Sequence, residues 1–158
     1  MRIRSYVPED RDFLVRITLI CFDGVSIDQN VERKFGKVGG TDWKFRKARH
    51  IIWDIEANPE GIFVAEEDGR PVGYVTTRLD HDTKIGWIPN LAVLPEHRRK
   101  GIGKALMERA LNYLKEKGME MVKIETLEQN EVGKEFYPKV GFVEVARQIH
   151  YVMPLGER

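Results

Sequence analysis

Cysteine occurs once in these 158 residues, at Cys21. One thiol excludes an internal disulfide and any metal site built from several cysteines, and it suits a reducing compartment. No apolar run approaches the roughly 20 residues that a membrane helix needs. The opening MRIRSYVPEDRDF lacks the apolar stretch of a secretory signal, so a cytoplasmic location is the expectation. An excess of one charge is also lacking. Lys and Arg total 26 against 25 Asp and Glu, a net charge of +1. That balance provides no general footprint for nucleic acid or for an anionic membrane. Repeats, low-complexity tracts and linkers are absent. Residues 1–158 therefore read as a single domain, long enough to bury a core.

What is present alternates between strand and helix patterns. Arg2 to Val7 reads as a short strand ended by Pro8. Asp10 is placed to cap a helix whose apolar positions are Phe13, Leu14, Ile17, Ile20 and Cys21. Asp28 is placed to cap a short helix through Val31 and Phe35, which Gly36, Gly39 and Gly40 break. A third helix over Asp42 to Ala57 interleaves aromatics with Lys44, Arg46, Lys47 and Arg49. That pattern fits an acceptor-binding wall or a nucleic-acid patch, and equally an amphipathic helix with a solvated basic face. Asp68-Gly69 between the β-rich runs 62–66 and 72–79 predicts a hairpin. The run 85–94 reads as a strand interrupted by Pro89, which cannot donate to a ladder. If the strand is central, Pro89 marks a bulge or a place where pairing stops.

The most informative stretch is Asn90 to Lys104, NLAVLPEHRRKGIGK. A strand end is followed by a basic, glycine-containing loop and then by a helix from Ile102 to about Lys117. Helix N-termini carry free N–H groups and a positive partial charge, so this loop predicts an anion site for a phosphate-bearing cofactor. Gly101 and Gly103 permit close approach of the backbone. A dinucleotide fingerprint fails, because Gly103 is followed by Lys104, Ala105 and Leu106 with no third glycine. A nucleoside-triphosphate loop fails at Ala105, where a magnesium-binding hydroxyl would be needed. Gly118 then ends the helix, 121–127 reads as a strand, and Asn130 as the cap of a helix from Glu131 to Tyr137 stopped by Pro138. Runs 142–146 and 149–153 read as a terminal β-pair. The order is βααβββαβαββ, an α+β fold with a mixed sheet.

Arg98-Arg99-Lys100-Gly101-Ile102-Gly103, followed by Asn130, Phe136-Tyr137, Lys139 and Gly141-Phe142, resembles the GNAT family of N-acetyltransferases. The resemblance is strongest from Asn90 to Phe142 and weak from Asp23 to Pro59. It implies the acyl-CoA N-acyltransferase fold, a mixed central sheet of about six to seven strands flanked by helices. It implies acetyl-CoA as co-substrate, no metal, and direct attack by an amine in a ternary complex. The pyrophosphate would sit on the N–H groups and cationic side chains of Arg98, Arg99, Lys100, Gly101, Ile102, Gly103 and Lys104. Pantetheine would run beside Leu91, Ala92 and Val93, with Asn130 contacting the arm. N–H groups of the same strand would stabilise the oxyanion.

Tyr137 matches the family's tyrosine and is the candidate general acid for the leaving thiolate, or a residue that only hydrogen-bonds or packs against the sulfur. The glutamate that some members carry on the strand before Leu91 falls at Trp87 here. Glu125 matches the glutamate of a branch that acetylates protein N-termini, and is the candidate base, or else a solvated strand residue. Asn90, Asp80 and His81 are weaker candidates for orienting a water. Cys21 reads either as a nucleophile or as a buried inert thiol, and the resemblance requires no enzyme nucleophile. The acceptor is expected to be a small amine, a peptide N-terminus or a protein lysine, with no nucleic acid or membrane partner. A homodimer fits the family, but no residue decides it. The rival expectation is a non-catalytic acyl-CoA sensor on the same fold.

Overall fold

The structure, a computed structural model, describes residues 1–156. Strand β1 (Arg2–Ser5) leads through a 3-10 turn into helices α1 (Arg11–Cys21), α2 (Ile27–Phe35) and α3 (Trp43–Ala57). Strands β2 (Phe63–Glu67), β3 (Arg70–Val75), β4 (Ile85–Trp87) and β5 (Leu91–Val93) follow, then α4 (Ile102–Glu116), β6 (Met121–Lys123) and α5 (Glu131–Lys139). Strands β1, β2, β3 and β5 form one antiparallel sheet in that order, and β4 pairs parallel with β6. None of the described helices is long and apolar enough to cross a membrane.

Strand alternation explains the layers. Successive side chains leave opposite faces of a strand. Phe63, Ala65, Val75 and Val93 pack under α4 with Ile102, Leu106 and Ala110. Their neighbours Val64, Tyr74 and Ala92 pack on the other face against Leu14 and Ile17 of α1 and Ile51 and Ile55 of α3. Both faces are covered, and the stripe Ile102–Leu106–Ala110–Leu114 is the buried side of α4. Asp68 (φ 52°) and Gly69 (φ 74°) both adopt left-handed backbone, which matches the twist of the predicted two-residue hairpin.

Several local expectations are corrected. Asp10 precedes α1 but does not cap it. Its carboxylate accepts from Val7 N–H and from the Arg4 guanidinium instead. Ser26, not Asp28, caps α2, because Ser26 is extended and its hydroxyl accepts from Gln29 N–H at 3.2 Å. Asp28 lies inside the first turn and faces Arg46 and His50. Helix α5 runs through Pro138 to Lys139, because a proline in the last turn needs only the turn before it to be intact.

The predicted 85–94 strand is split at Pro89, as its missing donor requires. Ile88 N–H still donates to Lys123 O at 3.1 Å, and Asn90 O accepts from Thr76 N–H on the opposite side. The strand β6 is accordingly three residues long rather than reaching Leu127, since beyond Lys123 it has no neighbour. The terminal β-pair is absent. Residues 142–155 form no strand and no backbone ladder with the rest of the chain, and strand formation needs such a partner.

Candidate active site

The splay between β5 and β6 creates a gap, and hydrogen-bond parity says which groups face it. Asn90 O and Leu94 N–H bond to Thr76 and Val72 of the β3 chain, at 2.9 Å each. In an antiparallel ladder every second residue bonds to the same neighbour. Ala92 is thus engaged with β3, and Leu91 and Val93 turn their backbone groups to the gap. The three-residue expectation narrows to Leu91 and Val93. Val93 O is already claimed, accepting from Arg98 Nε at 2.9 Å and Cys21 Sγ–H at 3.3 Å. The gap-facing groups left without a protein partner among the described residues are Leu91 N–H, Leu91 C=O and Val93 N–H.

The loop after β5 closes this gap from one end. Arg99 (φ 63°) and Gly101 (φ 82°) reverse the chain into α4. Among the described residues, no N–H from Arg99 through Lys104 meets a protein acceptor, and the first helical bond to reach back over the loop is Ala105 N–H to Gly101 O at 3.0 Å. Six consecutive unpaired N–H groups at a helix N-terminus form an anion cradle. A Cβ on Gly103 would meet only the Phe136 ring, at 3.5 Å, so the glycine is not demanded by the protein's own packing. The basic side chains divide. Arg98 ties the loop to Val93, and Lys100 leans on Glu67 at 3.5 Å, where His97 also binds at 2.9 Å. Arg99 and Lys104 have no carboxylate within ion-pair reach among the described residues and are the free cations of the cradle.

Helix α5 brings Asn130 and Tyr137 to the other flank. Asn130 Oδ1 accepts from Gly133 N–H at 3.1 Å, which caps the helix. Its amide Nδ2 has no acceptor among the described residues and remains available. Cap and ligand-contact roles therefore use different atoms. Tyr137 packs edge-on between Phe136 and Phe142, with ring centroids 5.5 and 5.9 Å away. Burial there pushes its phenol up to about 12.

The face opposite α4 carries the second set of groups. Trp87 Nε1–H donates to Glu125 Oε2 at 2.7 Å, and Lys123 lies 3.6 Å from Oε1. Arg78 and Lys123 stand over the Trp87 ring at 5.5 and 5.1 Å, within cation–π range. Arg78 donates to Asp54 Oδ1 at 2.6 Å, and Asp54 Oδ2 accepts from Asn90 Nδ2 at 2.7 Å. Asp54 thereby fastens α3 to the residue beside Pro89. Sequence reasoning missed it, since an aspartate on an amphipathic helix carries no local sign of a partner 36 residues away. A cavity of about 400 Å³ opens beside these groups, lined by Arg78, Asp80, Thr83, Trp87 and Lys123 among others.

Asn90 is buried and held by Asp54 and Thr76. Asp80 closes its own turn on Asp82 and Thr83, and those backbone N–H bonds lower its pKa. His81 is exposed in the same turn. Cys21 is half-buried, and burial pushes its thiol up, against any role as an activated nucleophile. Nearby, Lys47 Nζ lies 4.3 Å from the Phe22 ring centroid, and burial lowers its pKa although Asp28 and Asp54 oppose the change. Asn30 and Gln129 join α2 to the loop before α5 at 2.9 Å. No cluster of three His, Cys, Asp or Glu suited to a metal occurs among the described residues.

A splayed parallel strand pair, an edge open to an extended ligand and an anion cradle at the next helix define an acyltransferase of the cofactor-binding type. The model of the Acetyltransferase (GNAT) family matches residues 27–142, and the chain belongs to that family. An uncharacterized N-acetyltransferase of Methanocaldococcus jannaschii is 26% identical over 147 residues, which span 90% of this chain and 60% of that protein. An N-alpha-acetyltransferase of Sulfurisphaera tokodaii is 36% identical over 101 residues, 57% of this chain and 60% of that protein. Among solved structures, the PaiA N-acetyltransferase of Thermoplasma acidophilum in complex with coenzyme A superimposes with a TM-score of 0.71 at 22% identity. That match covers 90% of this chain and 89% of that one, and shows the same fold.

Proposed function

We propose that residues 1–158 act as one acetyltransferase unit that moves an acetyl group from acetyl-CoA to a primary amine by direct attack in a ternary complex. The observation that carries this reading is the pairing of two unpartnered backbone arrays, Leu91 with Val93 and Arg99 through Lys104. The first suits an extended amide-containing arm added along the strand edge, and the second suits a pyrophosphate. Arg99 and Lys104 supplement the second array, and Asn130 Nδ2 is free to donate to the arm.

The chemistry follows from what each group can do. The attacking amine must lose a proton, and Glu125 is the carboxylate available on the acceptor-facing side, oriented by Trp87. The amine nitrogen bonds to the thioester carbon while the carbonyl oxygen becomes an oxyanion, which the N–H groups of Leu91 or Val93 are placed to stabilise. Collapse expels the coenzyme A thiolate. Tyr137 donates its O–H toward that sulfur. A thiol near pKa 8.5 cannot readily strip a phenol held at about 12, so Tyr137 acts through its hydrogen bond more than by full proton delivery.

The first acceptor to test is a peptide α-amine. Its pKa of about 7.7 to 8.0 leaves far more neutral nucleophile than a lysine at about 10.4. The N-alpha-acetyltransferase relative supports the same choice. Peptides with a free or blocked N-terminus, with and without lysine, incubated with acetyl-CoA and read by mass spectrometry, test the assignment. Acetylation restricted to the free α-amine is expected. Modification of lysine alone, or of small amines alone, overturns the acceptor assignment.

A further inference from the structure

The C-terminal segment presents a run of apolar side chains to water. Val143, Val145, Ile149, Tyr151, Met153 and Leu155 are all more than half exposed, Val145 by 93% and Tyr151 by 87%. Isolated exposed apolar residues are ordinary, but a contiguous run marks an interaction surface. These recur at every second position within 143–145 and within 149–155, the spacing of a strand face. Among the described residues, no backbone group from Val143 to Leu155 bonds to the rest of the chain. The segment is tied only through Arg147, which reaches Glu128 at 3.2 Å.

The same chain carries the complementary surface. Strand β6 bonds to β4 on one side and to nothing on the other. Met121 on that strand is 71% exposed, and Val122 is only partly covered. The other edge of the β-structure is blunted: β1 carries Arg2 and Arg4, and Arg4 is ion-paired to Glu66. One open edge and one unpaired strand-patterned segment on a single chain are the two halves of a self-complementary contact. Folding back on the chain's own β6 would bury the segment, whereas here it stands free of that edge.

We infer that two copies of this chain exchange their C-terminal segments, each laying residues 142–153 along the β6 edge of its partner. A two-fold axis satisfies both edges with the same surface. The exchanged strand would brace the stretch that carries Lys123 and Glu125. The inference does not depend on the acetyl-transfer reading.

Sedimentation velocity and amide hydrogen exchange on the full chain, at high and low protein concentration, test it. The expected result is a species of about twice 18.4 kDa, with amides of 142–153 and 121–125 protected in the dimer and unprotected after dilution to monomer. The double variant Val145→Asp/Tyr151→Asp should be monomeric with unchanged far-UV circular dichroism. A monomer at every concentration overturns the inference, whether the segment is protected by its own sheet or not. So does a dimer in which 142–153 exchanges freely.

Discussion

The indole N–H of Trp87 and the carboxylate of Glu125 meet at 2.7 Å, joining β4 to the stretch just beyond β6. These are the two positions at which the family resemblance places an acid–base glutamate. Here one position holds the carboxylate and the other orients it. Glu125→Gln should lower kcat/KM for the amine by about 100-fold, the lower end of what a positioned base contributes. Trp87→Phe keeps the ring but removes the donor, and should cost less, about 3- to 10-fold, mostly in kcat. Steady-state kinetics of both variants check this. Wild-type rates in Glu125→Gln would remove the base from this position.

Tyr137 gives a prediction with a definite sign. Its phenol is held up at about 12 by burial, so it stays protonated, and able to donate, through the whole range in which amines are assayed. Tyrosine ionisation should therefore cause no fall in rate between pH 8 and about pH 11. Tyr137→Phe should lower kcat about 10- to 100-fold with little change in the KM for acetyl-CoA, and the loss should be equal at pH 7 and pH 9. A loss confined to high pH would mean that the phenol titrates there.

The two loop glycines should behave differently. Gly101 has φ 82°, a left-handed backbone that costs other residues roughly 1–2 kcal/mol. Gly101→Ala should lower the melting temperature and raise the KM for acetyl-CoA. Gly103 is helical, and a Cβ there makes ordinary contact with Phe136. Gly103→Ala should leave the melting temperature unchanged within error, yet raise the same KM at least 10-fold by crowding the phosphate. Thermal melts beside calorimetric titration with coenzyme A separate the two.

Stability against acid should depend on Arg4 and Asp10. Burial alone would raise the Asp10 pKa, but two bonds from the Arg4 guanidinium and one from Val7 N–H more than offset it, so the pKa is lowered. A carboxylate with a lowered folded pKa stabilises above its unfolded value near 3.9, and that stability is lost as pH falls through the folded value. Arg4→Met leaves the buried carboxylate unpaired and should cost about 3 kcal/mol at pH 7. The deficit should shrink steadily below pH 4, which melts across a pH series measure directly.

Features whose physics is local were legible in the sequence. The Asp68-Gly69 hairpin, the loop into α4 and the break at Pro89 each depend on residues within one turn, and the structure holds all three. Distant partners were not legible. Asp54 finds Arg78 and Asn90 only because α3 crosses the sheet there, and Arg98 turns inward to Val93 although its charge suggested a phosphate contact. Caps sat between these extremes. Ser26 and Asp28 both have the right chemistry, and only the backbone angle at Ser26 decides between them. The terminal segment has the alternation of strands, but alternation specifies a face and not the neighbour that must cover it.

Acceptor-dependent release of free thiol from acetyl-CoA tests the central claim most directly. With a panel of peptides and small amines, thiol release should match acetylated product one for one with at least one acceptor, and should fall together with product in Tyr137→Phe and Glu125→Gln. Tight binding of acetyl-CoA with no acceptor-dependent release from any member of the panel would contradict the enzyme reading and favour a sensor built on the same fold.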